Sequence, residues 1–406
     1  MKNVEALSNL KLRLSWGKTG NSGIMAYGTQ SGLTPKTNSA FQDNGYTYYI
    51  YNEYVGNENV GWEMSNTWDL GFDIGLFNNR ISAVVDLYQT KTTDILLPRT
   101  LPTSMGGSNA TPFKMYQNIG ATMNRGIEVS VNTVNVDNKN FKWNSTLTFA
   151  ANHEEITDLI DGKDIIGSDS HITTSLLIGR PLKSFYHFIN EGIWQENEAE
   201  EAAKYFKDSK KTQPFKPGDI KLRDLNGDYI IDDKDETYLG SQSPKWTGGF
   251  NNNFSYKNFD LAAVFSYQLG GQVLDTNYAT MMSMTEFGYA QSPDLLKAWK
   301  QAGDITEVPR IDNSAAHTTN IGQSYSTRWL TSSDYLNLRS VTIGYQFPKA
   351  WLSKVMLKSA RLNLTAENLF MLKARQGLNP MANYSGVTYN EYMPSRNITL
   401  GLNVSF

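Results

Sequence analysis

An all-β, antiparallel transmembrane barrel is the fold class that this sequence predicts, and three observations predict it. Apolar residues recur at every second position almost to the last residue, carboxylates stand among the residues between them, and connections alternate between very short and very long. A period of two places successive side chains on opposite faces of a strand, so one face meets something greasy and the other meets water. Carboxylates fill the inner face of a soluble sandwich poorly. They suit a wet lumen, which makes the greasy face the outside of a membrane barrel.

Alternation begins by Leu10 and gives a first strand near 10–17. The second, near 67–77, carries Trp68, Leu70, Phe72, Ile74 and Leu76 on one face, and Thr67, Asp69, Gly71, Asp73 and Gly75 on the other. Strands follow near 81–96, 127–136, 141–150, 246–256, 259–269, 335–347 and 361–370. The last, 397–406, sets Ile398, Leu400, Leu402, Val404 and Phe406 against Asn397, Thr399, Gly401, Asn403 and Ser405. The total is about ten. Short links fall at Asn78-Asn79, where Asn tolerates positive φ, at 137–140, at Lys257-Asn258 and at 348–358; long ones at roughly 18–66, 97–126, 151–245, 270–334 and 371–396. Outer-membrane barrels pair short periplasmic turns with long extracellular loops, and an even set of strands starts and ends on the periplasmic side. Aromatics at strand ends (Trp68, Phe77, Tyr88, Trp143, Phe149, Tyr256, Phe259, Tyr267, Tyr345, Phe347) are expected to form interfacial girdles.

Composition removes other classes. With 37 Lys+Arg against 40 Asp+Glu the net charge is -3, so no non-specific attraction to nucleic acid is implied. Apolar stretches such as 261–265 fall far short of the roughly 20 residues of a spanning helix. Zero Cys excludes a disulfide scaffold, Cys-ligated zinc, an iron–sulfur cluster and thiol catalysis. No GxSxG or GxxxxGK[ST] motif is present, and His153, His171, His187 and His317 show no metal spacing, so no enzymatic activity is expected. The segment before Trp16 lacks the apolar core of a signal peptide; export would require a preceding segment.

The sharpest local signal is Asp224 to Asp235. Oxygen donors stand at positions 1, 3, 5, 9 and 12 (Asp224, Asn226, Asp228, Asp232, Asp235), with the carbonyl of Ile230 at position 7. This spacing suits Ca²⁺, which takes six or more oxygens. Gly falls at position 4 instead of 6, where Tyr229 sits, and position 12 is Asp instead of Glu, so the alternative is a metal-free Asx-turn. Tyr46, Tyr48, Tyr49, Tyr51 and Tyr54 crowd one long loop and are weak candidates for stacking on cargo, the plain reading being a hairpin above the membrane. Residues 196–211 read as a short exposed helix with a solvated charged face.

These residues together resemble the C-terminal half of a SusC-type (SusC/RagA) TonB-dependent transporter of the Bacteroidota outer membrane. The stretches that carry the resemblance are Leu10 to Gly17 with Thr19-Gly20-Asn21, Trp62-Glu63 with Asp69 to Asp73, Asn118-Ile119-Gly120 with Asn124 to Glu128, Gly192 to Gln195, Gly218 to Lys221 running into Asp224, Pro244 to Phe250, and Ala366 to Phe370. They occur in family order across nearly the whole chain, residues 1–406. The resemblance implies a 22-stranded barrel filled by an N-terminal plug, of which these would be the last ten strands; plug and earlier strands find no counterpart here. It also implies active import of oligosaccharide or oligopeptide, a SusD-like surface lipoprotein as lid, TonB acting through the plug, and outer-membrane lipid around the barrel. A terminal aromatic strand, Leu402, Val404 and Phe406, resembles the signal read by the barrel assembly machinery. One departure is Gly377-Leu378-Asn379-Pro380, where the family often has Asp before the Pro.

Two other classes remain open at this point: a self-contained ten-stranded barrel with hydrolase activity in its rim, and a secreted glycan-binding β-sandwich. The first requires residues 10–17 to pair with 397–406. Asp69 and Asp73 facing lipid would overturn both membrane readings.

Overall fold

The structure is a computed structural model that describes residues 6–23, 27–31, 33–38, 46–51, 54–105, 112–167, 175–207, 209–282, 290–311, 326–375, 377–381, 386–388 and 392–406. Ten long strands form its wall: β1 (Leu7–Asn21), β2 (Glu63–Leu76), β3 (Ile81–Thr100), β4 (Lys114–Asp137), β5 (Phe141–Leu159), β6 (Trp246–Tyr256), β7 (Phe259–Leu269), β8 (Tyr335–Gln346), β9 (Ser359–Lys373) and β10 (Asn397–Ser405). Each pairs antiparallel with its sequence neighbour in one meander, and the two-residue strand Tyr54–Val55 adds in parallel to the start of β4. Among the described residues β1 and β10 do not pair with each other, so the sheet is open at both.

The short links are turns of the expected kind. Phe77, Asn78 and Asn79 all take positive φ in the turn between β2 and β3, and Lys257 does so between β6 and β7. The longest of them, between β8 and β9, carries a helical turn, Lys349–Leu352, followed by a 3-10 turn, Ser353–Val355. At the opposite, long-loop end the wall extends past the expected strands: β3 runs to Thr100, β4 starts at Lys114 and β5 ends at Leu159. The 97–126 connection is therefore mostly ladder. Alternation fades there in sequence because neither face meets lipid, whereas backbone pairing continues wherever a neighbouring strand is present to satisfy N–H and C=O groups.

Register separates the faces. Leu10, Leu12, Leu14 and Trp16 lie opposite Ile74, Phe72, Leu70 and Trp68, and that stripe continues through Leu87, Ile127, Phe149, Phe250, Phe265, Leu338, Leu364 and Leu400. Asp69 and Asp73 share the other face with Lys11, Ser15 and Tyr88. This corrects one expectation: Tyr88 is a lumen residue, its hydroxyl donating to Asn152 Oδ1 at 2.9 Å, because one register step carries it off the lipid stripe. Girdles do form at the short-turn end, where Trp143 and Phe254 stack at 5.6 Å and Phe259 and Tyr345 pack at 4.6 Å.

The packed hydrophobic clusters lie outside the wall. One joins Phe185, Leu274, Met282, Leu295, Val308, Trp329 and Val387 from three different long connections; the other joins Trp194, Ala202, Phe215, Ile220, Leu222 and Ile231 within the 151–245 connection. Two-stranded ladders, Ser184–His187 with Thr237–Ser241, Asn190–Ile193 with Ile220–Leu222, and Gln272–Leu274 with Leu330–Ser332, stiffen this cap. The segment 196–211 departs from its expectation. Helix covers only residues 196–202, Ala202 is buried, and Lys207 is buried beside Asp219 instead of solvated, because the segment closes over Trp194 and Phe215.

Candidate functional site: a charged lumen wall beneath a packed cap

The lumen face carries fixed charges at spacings set by the ladder. Arg13 on β1 donates through Nε to Asp73 Oδ1 at 3.1 Å and through Nη2 to Asp86 Oδ1 at 2.7 Å, and Lys11 lies 3.8 Å from Asp73. On the other side of the wall Arg361 Nη2 donates to Asp260 Oδ2 at 2.6 Å. Hydroxyl pairs line the strands between, Thr67 with Thr90 at 2.9 Å and Thr342 with Thr365 at 3.1 Å. Such a face is compatible with water on the inner side of the wall.

Above it, Asp219 ties two connections together. It is fully buried, accepting from Lys207 Nζ at 3.0 Å and from Arg310 Nε at 2.7 Å, while Arg310 N donates to the Gly218 carbonyl at 2.8 Å. The φ of Gly218, +84°, and its missing Cβ let the Trp299 ring lie directly on the backbone. Burial pushes the Lys207 ammonium below its ordinary range, against the pull of Asp219. Nearby, His187 Nδ1 lies 3.3 Å from Glu236 Oε1; burial pushes the imidazole down to about 4 and the carboxyl up to about 7. An ion pair would shift both the other way, so desolvation outweighs attraction in this couple.

In the 224–235 loop the expected donor oxygens accept from backbone amides. Asp224 takes Gly227 N (2.6 Å) and Tyr229 N (2.9 Å), Asn226 takes Asp228 N (2.9 Å), Asp228 takes Ile230 N (2.8 Å), Asp232 takes Lys234 N (3.0 Å), and buried Asp235 takes Leu225 N (2.8 Å) and Asp232 N (3.0 Å). The Lys234 ammonium stands 3.9 Å from Asp228 and 3.6 Å from Asp232. Tyr229 takes the left-handed φ of +63° that a Gly would take more easily. Among the described residues no three His, Asp or Glu converge as a metal cluster.

Tyr46, Tyr48, Tyr49 and Tyr51 belong to a strand, Tyr46–Tyr51, paired with Leu33–Asn38; their side chains lie outside the described residues, as do His171 and His317. Tyr54 stacks on Tyr116 at 4.9 Å. Leu402 and Val404 face the lipid stripe opposite Leu362 and Ala360, and Phe406 is exposed. Several motif residues turn out to build the rim. Glu63 accepts from Asn21 Nδ2 and from Leu96 N, both at 2.9 Å, and Asn118 exchanges bonds with Gly61 and donates to the Asp94 carbonyl at 2.7 Å. Asn379 is buried and donates to the Tyr392 carbonyl at 2.9 Å, a bond that Asp could not donate. Sequence reasoning did not single out the Lys207–Asp219–Arg310 cluster; an Asp behind Gly218, inside a run rich in Lys, was the available signal.

A greasy outer face, a charged inner face and a folded cap of loops define a wall segment of a large outer-membrane β-barrel. The chain belongs to the TonB dependent receptor-like β-barrel family, whose model matches residues 4–369. It is 31% identical to TonB-dependent receptor P3 of Formosa agariphila and 29% identical to TonB-dependent receptor SusC of Bacteroides thetaiotaomicron, in each case over 100% of this chain and 40% or 38% of the relative. Among solved structures it is similar to the RagAB peptide transporter, with a TM-score of 0.77 and 27% identity over 100% of this chain and 42% of that one. The chain thus spans about two fifths of the length of the relatives that it matches.

Proposed function

We propose that this chain is the C-terminal part of the barrel of a SusC-like importer that moves an oligosaccharide or oligopeptide across the outer membrane, performing no chemical step on it. The observation that carries the reading is the open edge pair: β1 and β10 are unpaired with each other, and lipid does not tolerate free strand edges. Further strands of a longer polypeptide would close the sheet, an even number of them if every neighbour is antiparallel. This weighs against a self-contained ten-stranded hydrolase, and the lipid stripe weighs against a sandwich. A SusD-like lipoprotein would cover the cap, TonB would act through a plug, and Leu402, Val404 and Phe406 would serve the barrel assembly machinery. The test is to purify the natural protein in detergent and measure its mass, its partners and the TonB dependence of uptake. The expected species is more than twice 45.6 kDa and carries a lipoprotein; a partnerless 45.6 kDa species overturns the reading.

We also propose that Ca²⁺ docks on the 224–235 loop and stiffens the 151–245 connection. The ligand spacing supports this, as does the convergence of Asp228 and Asp232 on one cation, the Lys234 ammonium. Protease should cut this connection more slowly in Ca²⁺ than in chelator, and Asp228→Asn should erase the difference; equal rates in wild type sink the proposal.

A further inference from the structure

We propose that the cavity where β5, β6 and β7 meet the cap is a cargo subsite that binds a carboxylate. The proposal rests on the import reading above and deepens it. The cavity holds about 580 Å³ and is lined by the ends of these strands together with the Gly179–Pro181 turn, the Tyr238–Ser241 ladder and the Leu330–Ser332 strand. Asn152 and Glu154 bring the lumen register of β5 into its lining, just beyond the end of the β6–β7 ladder at Trp246 and Leu269.

Two cations line the cavity, and the backbone places both. Gly179, at φ +76°, turns the chain so that the Arg180 guanidinium lies 4.4 Å from the centre of the Tyr238 ring. Stacking occupies the flat face of a guanidinium and leaves its edge, where the donors are, free. Gly270, at φ +85°, lies under the stem of Lys245; a Cβ there would come within 3.0 Å of it. Several other cations of the cap have carboxylate partners: Lys207 and Arg310 hold Asp219, Lys221 holds Glu198, Arg223 holds Glu191 and Arg375 holds Asp275; Arg328 instead donates to the Glu307 carbonyl, and Lys211 lies over the Phe206 ring. Arg180 and Lys245 make no ion pair and no side-chain hydrogen bond among the described residues. The one carboxylate in the described lining, Glu154, accepts from Leu182 N at 3.4 Å. A planar donor fork and an ammonium in the lining of one cavity suit a carboxylate, which can accept from the fork through both oxygens. A uronic acid and an acidic peptide both supply that group.

The test is calorimetry on the natural full-length protein with its partners. The probes are trigalacturonate against neutral galactotriose, and triglutamate against triglutamine. At least one carboxylated probe should bind about tenfold or more tighter than its neutral counterpart, the size expected for a charge-assisted hydrogen bond. The double variant Arg180→Gln with Lys245→Gln should erase that preference, whereas Arg180→Lys should keep part of it; heat-dependent mobility in detergent gels confirms that each variant is folded. Which pair responds identifies the source of the carboxylate. No charged preference in either pair, no binding of any probe, or a preference that survives the double variant each overturns the subsite. Uptake that is independent of TonB while the charged preference stands would instead overturn the import reading and leave the subsite intact.

Discussion

Arg13 on β1 reaches Asp86 on β3 at 2.7 Å by passing over Gly71 of the intervening β2. The arrangement recurs across β8, where Arg361 meets Asp260 over Gly344. A Cβ at Gly71 would lie 2.5 Å from both Arg13 Cζ and Asp86 Oδ1. Both are ends of flexible side chains, so the pair can swing aside, and a pair open to a wet lumen is worth little. Gly71→Ala should therefore be close to neutral, and fully neutral in an Arg13→Ala background. Gly248→Ala is different, because its Cβ would meet the Thr148 carbonyl oxygen of β5 and part the ladder, at about 1–3 kcal/mol. Urea unfolding of the natural barrel in detergent ranks the two; equal losses would refute the argument.

Leu400 and Thr399 are chain neighbours on opposite faces of β10. Arg at a lipid-facing site near the bilayer midplane costs about 2–4 kcal/mol, whereas lumen sites are tolerant. Leu400→Arg should impair folding into vesicles and Thr399→Arg should leave it near wild type. The reverse order would mean that the faces are exchanged.

The wall was legible in the sequence because two-residue alternation and turn residues such as Asn78 and Asn79 are local signals. Each expected strand overlaps one observed strand, from Leu7–Asn21 to Asn397–Ser405. The cap was not legible. Its clusters join residues as distant as Phe185 and Val387, a separation that no periodicity encodes. Lys207 read as one charge in a solvated run, and only the tertiary approach of Arg310 and the Gly218 turn makes it a buried partner of Asp219. Arg180 and Lys245 were likewise unremarkable until the fold put them around one cavity.

Asp219→Asn would take a counter-charge away from the buried Lys207 ammonium and the half-buried Arg310 guanidinium. Removing one partner of a buried charged group costs about 3–5 kcal/mol. The loss should be confined to the cap, since the three residues belong to the long connections. Limited proteolysis should then cut within the 151–245 and 270–334 connections, while heat-dependent mobility of the barrel stays as in wild type. Unchanged protease resistance would show that this cluster does not hold the cap.

The His187–Glu236 couple gives a pH signature with a definite sign. Glu236, raised from 4.5 to about 7, contributes stability that is fully present below 4.5 and is lost as pH rises through 7. His187, lowered from 6.5 to about 4, contributes stability that is present above 6.5 and is lost as pH falls through 4. The two slopes oppose each other between 4.5 and 6.5, so protease resistance of the cap should be nearly level there. Glu236→Gln mimics the protonated acid. It should be tolerated at pH 6 and should unmask the histidine slope, resistance rising from pH 4 to 6.5. An ion pair predicts otherwise, with a maximum between the two ordinary pKa values and a marked loss in Glu236→Gln at pH 6. That loss, if observed, would show that attraction across 3.3 Å outweighs desolvation in this couple.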